Sequence, residues 1–110
     1  MEEVSYEKLN QIFEEVVDEF QKRFGEVVEV DKAEKEIIFD IVIKINNLPN
    51  QTSTTIAELI NYNPKEAYVE PLYQGEVSNY VNKICDKLGI ELIKEKTLGG
   101  LAYMGKFQKR

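Results

Sequence analysis

The chain has 110 residues, 43% of them hydrophobic, which fits one domain whose core buries about 65% of the surface the unfolded chain would expose. A single cysteine, Cys85, and no histidine exclude an internal disulfide and leave almost nothing to build a zinc site, while a net charge of −6 weighs against a uniformly nucleic-acid-binding surface. No apolar run nears the roughly 20 residues of a membrane span, and the acidic opening Met1–Lys8 is unlike a basic signal-peptide start, so a cytoplasmic protein with no membrane partner is expected.

Leu9, Ile12, Phe13, Val16, Val17, Phe20 and Phe24 recur at three- and four-residue steps, predicting an amphipathic helix capped by Ser5 and ended by Gly25. Its stripe carries three rings, Phe13, Phe20 and Phe24, more than a small domain is expected to cover alone. These make the helix a candidate protein-contact surface, most simply of a homodimer. A short extended segment, Val27–Val30, follows, and then Asp31 and Glu34 take the form of a capping box. Two patterns compete over residues 32–46. Ile37, Phe39, Ile41, Ile43 and Ile45 alternate like a β-branched strand, whereas Glu36, Asp40, Lys44 and Asn47 make a polar stripe at helical spacing. The capping box, the length and the Leu48-Pro49 stop favour the helix.

Ser53 or Thr54 reads as the cap of a short helix carrying Ile56, Leu59 and Ile60. Asn63-Pro64-Lys65-Glu66 is a further start signal, limited by Pro71, so residues 61–74 read as a helical turn and loop. Val77, Tyr80, Val81, Ile84 and Leu88 give the helix over 76–88 a buried stripe, closed by Gly89. Ile90–Glu95 and Leu101–Phe107 alternate as two strands around an exposed turn through Leu98-Gly99-Gly100.

Helix, helix and hairpin over Thr54–Phe107 follow the order of a winged helix-turn-helix. The expected fold is therefore α+β: a winged helix-turn-helix-like domain with an added N-terminal amphipathic helix and a C-terminal β-hairpin. It forms one domain over 1–110, with the first helix and extended segment in 1–30 and the winged-helix-like core in 31–110.

Charge is unevenly placed. Residues 1–50 hold 13 acids and 6 bases, whereas residues 75–110 hold 4 acids and 7 bases. On the outward face of helix 76–88, Ser78, Asn79, Asn82, Lys83 and Lys87 suit amide readout of adenine and cationic phosphate contact, and Lys94 and Lys96 could hold a wing against the backbone. Glu76 and Asp86 share that surface and repel phosphates, and edge-strand lysines also protect a sheet from aggregation. Tyr62, Tyr68 and Tyr73 concentrate in 61–74, where amphipathic rings serve partner contacts or cover the core; Tyr68 and Tyr73 are the partner-binding candidates.

The stretch from Asn47 to Phe107 resembles a family of small, uncharacterised winged-helix-like proteins of phages and mobile elements of Gram-positive bacteria. The resemblance rests on Leu48-Pro49, Thr55–Ile60, Tyr80-Val81-Asn82, Ile93–Thr97, Gly99-Gly100 and Tyr103. It implies a winged-helix-like domain of unassigned function, sometimes suspected of binding nucleic acid.

Catalysis finds little footing. Cys85 sits at core spacing with no histidine to activate it, and Glu14-Glu15 and Asp18-Glu19 lie on the outer face of the first helix. A non-enzyme without cofactor or metal is expected, and two roles remain open. The chain either binds duplex DNA as a regulatory protein of a phage or mobile element, or it is an acidic module that binds or inhibits a protein partner. A continuous positive patch over helix 76–88 and the hairpin favours the first; an interrupted one favours the second.

Overall fold

Among the described residues, four helices and three short strands follow one another as α1 (Tyr6–Phe24), α2 (Lys32–Asn47), β1 (Ser53–Thr55), α3 (Ile56–Leu59), α4 (Pro71–Leu88), β2 (Leu92–Glu95) and β3 (Lys106–Lys109). This computed structural model describes residues 4–25, 29–59, 71–95 and 106–110. The chain is α+β.

Local chemistry sets most of the helix ends. The Ser5 hydroxyl accepts the Lys8 N–H at 3.1 Å, and the Asp31 carboxylate accepts the Glu34 N–H at 2.8 Å. Gly25, at φ 68°, ends α1 by donating to the Gln21 carbonyl. Gly89, at φ 80°, ends α4 in a paired motif: its N–H donates to the Asp86 carbonyl and the Ile90 N–H to the Cys85 carbonyl. Residues 32–47 are helical, which brings Ile38, Ile41, Val42 and Ile45 onto one face, all fully buried. In the alternating pattern, Ile37 and Ile43 stay half-buried.

In the second half the structure departs from the sequence expectation at three places. Ser53 and Thr54 lie in a strand, and it is Thr55 that caps α3, its hydroxyl accepting the Glu58 N–H at 3.1 Å. Helix α4 opens at Pro71 rather than after a loop reaching residue 74, because proline at the first helical position gives up only an N–H that has no intrahelical partner. The last described strand, Lys106–Lys109, runs past the expected end at Phe107, and residues 101–105 of that expectation lie outside the described residues. The Gly99-Gly100 turn lies outside the described residues.

The strands form one antiparallel sheet in the order β1-β3-β2, with Thr54 opposite Phe107 and Leu92 opposite Lys109. Thr54, Phe107 and Lys109 face inward and are buried. A lysine on that face is tolerable because Lys109 Nζ donates to the carbonyls of Asn46 (3.0 Å) and Leu48 (2.8 Å), groups at the end of α2 that no helical N–H can reach.

The core lies where α1, α2 and α4 meet, with Leu59 and Phe107 closing it from α3 and the sheet. A column of rings runs through it. Tyr6 meets Phe39 edge-on at 5.0 Å, Phe39 meets Phe13 edge-on at 5.6 Å, and Phe13 stacks on Tyr80 at 5.7 Å. Tyr80 then meets Phe20 edge-on at 5.0 Å, and Phe20 lies beside Phe24 at 6.2 Å.

Two substitutions test this architecture in urea unfolding. Phe39→Ala should lose about 3–5 kcal/mol, since a fully buried ring leaves a cavity among three helices. Lys109→Met keeps the aliphatic stem but leaves two carbonyls unanswered, and should lose about 1–3 kcal/mol. A neutral Lys109→Met would refute its capping role.

Candidate functional site

A groove of about 760 Å³ runs between the C-terminal end of α1 and the outward face of α4. Phe20, Val30, Tyr80, Ile90 and Leu92 provide its apolar lining, with Tyr80 almost fully buried as the floor. Arg23, Glu29, Asn79, Lys83, Asp86 and Glu91 are exposed around it, and Asn82 is half-buried. Phe24 stands at the rim, 62% exposed, with the Arg23 guanidinium 5.7 Å from its ring centroid.

The construction is local at each end. Gly25 stops α1 one residue after Phe24, so the ring sits at the helix terminus. The α4 stripe Val77, Tyr80, Val81, Ile84 and Cys85 faces the core, which turns Asn79, Lys83 and Asp86 outward. The glycine stop at Gly89 then brings Ile90 and Leu92 back along the groove.

Of the α4 candidates, the structure brings Asn79, Asn82 and Lys83 together in the groove. Ser78 is half-buried one turn from Asn82, whose Nδ2 donates to the serine hydroxyl at a long 3.5 Å. Lys87 turns away from the others, toward α1. Its ammonium donates to Glu19 Oε1 at 2.7 Å and lies 3.7 Å from Glu15 Oε2. The hydrogen bond holds the Glu19 carboxyl below its usual value and raises the Lys87 amine above its own. Lys94 falls in β2 and Tyr73 at the start of α4, with side chains outside the description; Lys96 and Tyr68 lie outside the described residues.

The three rings of α1 do not form one surface. Phe13 is 5% exposed, enclosed by Phe39 and Tyr80 with the Lys35 ammonium 5.2 Å from its centroid, so it is core rather than interface. Phe20 is half-buried against Tyr80, which leaves Phe24 as the exposed ring of the three. Sequence reasoning missed Arg23, Glu29, Glu34, Asp86 and Glu91 as groove residues. Only Asp86 carried a signal, by sharing a helix face with Asn79 and Lys83.

Burial pushes the Cys85 thiol up to about 12, against a smaller opposing pull from Lys109, so the group stays protonated at neutral pH and is a poor nucleophile. Among the described residues, no group of three or more His, Cys, Asp or Glu side chains could hold a metal ion, and no helix is long and apolar enough to cross a membrane. No protein-family model, curated protein or solved structure matches the chain.

The α1–α4 ion pair has a pH signature. A carboxyl held below its usual value stabilises the fold above that usual value, and the contribution disappears as pH falls through the lowered one. Glu19→Gln should therefore be less stable than the parent at neutral pH by a small margin, as befits an exposed pair, and equal to it in strong acid. Thermal melts across that range check this; a difference that does not change with pH would rule the pairing out.

Proposed function

We propose that the chain is a non-enzymatic winged-helix module that binds a protein partner through the groove beside α4. The winged-helix reading is supported by the order α2, β1, α3, α4, β2, β3 and by a sheet in which β1 pairs with β3, the second strand of the hairpin. In that reading α3 and α4 are the helix-turn-helix pair and β2–β3 the wing. A role in binding rather than catalysis is supported by the buried, protonated Cys85 and by a sequence without histidine.

The observation that carries the choice of partner is the pairing of Lys87 with Glu19 and Glu15. Duplex affinity comes mainly from cations laid along phosphates. Here one of the two described cations of the α4 face is already answered by carboxylates, and Lys83 shares its surroundings with Asp86. On α4 the positive surface is interrupted among the described residues, while the hairpin cations Lys94, Lys96 and Lys106 have side chains outside them. Protein interfaces, in contrast, accommodate an apolar centre with a mixed charged rim.

Fluorescence anisotropy with labelled duplexes at low salt separates the two roles. The expected result is no saturable binding at tens of micromolar protein, with Lys83→Glu changing nothing. A photo-crosslinking residue at Asn79, introduced in cells, should instead form an adduct with a protein. Duplex binding that weakens steeply with salt and is lost in Lys83→Glu would replace this reading with the DNA-binding one.

A further inference from the structure

The groove's composition says what kind of partner it fits. We propose that it takes a basic amphipathic segment of a partner protein, one apolar or aromatic side chain seated on Phe20 and Tyr80 and its cations directed to Glu29 and Asp86. This rests on the protein-interaction reading above and adds the partner's chemistry to it.

Charge complementarity argues for a basic occupant. Among the described residues, four carboxylates, Glu29, Glu34, Asp86 and Glu91, line the groove against two cations, Arg23 and Lys83, on a chain whose net charge is −6. They are not equally available. The Glu91 carboxylate is held by the Arg110 guanidinium at 3.1 Å, and Glu34 is buried. Glu29 and Asp86 are exposed. The anchor follows from the rings: Phe20 and Tyr80 meet edge-on, and Phe24 continues the aromatic surface into solvent. An exposed ring contiguous with a half-buried one is the arrangement that an apolar side chain covers with gain. A second copy of the chain is disfavoured as occupant because two molecules of like net charge repel as they approach.

The test uses the full chain and a short fluorescein-labelled peptide with Leu and Phe on one helical face and Lys and Arg on the other. Its twin carries Glu in place of every Lys and Arg. The basic peptide should bind in the micromolar range and its twin at least about tenfold more weakly. Reversing the rim with Glu29→Lys and Asp86→Lys should invert that preference. Glu36→Lys, a charge change on an exposed α2 position outside the groove, should leave it within about twofold. Phe24→Ser, at a position too exposed to threaten the fold, should weaken the basic peptide about fivefold or more. Equal binding of both peptides, equal losses from Glu36→Lys and the rim reversal, or no binding at about 100 micromolar would each overturn the proposal. A dimer in sedimentation equilibrium that Phe24→Ser dissociates would overturn it in favour of a second copy. Failure of the peptide together with absent duplex binding removes only the basic partner, whereas salt-steep duplex binding removes the protein-interaction reading as well.

Discussion

Phe13 is the contact on which the arrangement of helices depends. Its ring is edge-on to Phe39 of α2 and stacked on Tyr80 of α4, so a single side chain of α1 registers it against both other long helices. The Lys35 ammonium, 5.2 Å from the Phe13 centroid and 5.5 Å from that of Phe39, adds a cation at the faces of the same pair. With that point held, the rest of α1 has little freedom. Two turns further on, Glu19 must lie beside Lys87 and Phe20 must meet Tyr80. The groove exists because α1 continues past this contact to Phe24 and stops there.

The sheet is tied to the helices by a different kind of bond. Lys109 places an ammonium among the last carbonyls of α2, where the helix dipole is negative and the backbone lacks donors. Lys44 does the same at a smaller scale, donating to the Leu59 carbonyl at the end of α3 while paired with Asp40. In a domain this size such contacts let short strands count toward a common core, because the strands by themselves are too short to be stable. Phe107, two residues before Lys109 on the same face, supplies the sheet's apolar contribution.

Electrostatics then decide what the α4 face can do. In sequence its asparagines and lysines read as a phosphate- and base-contacting set, since helix periodicity puts them together. In space, α1 brings carboxylates to one edge of that face, and the chain around Glu29, Glu34 and Glu91 brings them to the others. Cations so placed contribute to selectivity among partners more than to attraction for a polyanion. The ring column adds an apolar anchor point that phosphate recognition does not need.

What lay open in the sequence was whatever depends on near neighbours. Ser5, Asp31, Gly25 and Gly89 act at their helix ends through bonds spanning three to five residues, and the stripes of α1 and α4 follow from periodicity alone. Even the contest over 32–47 was decided by local signals, the Asp31 cap and the Leu48-Pro49 stop. The strand at Ser53–Thr55 was hidden because three residues carry no period and its partner, Phe107, lies more than fifty residues away. For the same reason nothing local distinguished Phe13, enclosed by α2 and α4, from Phe24, left in solvent: both occupy the same stripe. Lys87 and Glu19 are 68 residues apart, and only the packing of α1 on α4 makes them a pair, turning an expected phosphate contact into an internal ion pair. Caps and periods belong to the chain's local geometry, whereas burial and charge pairing are properties of surfaces that exist only once the helices have met.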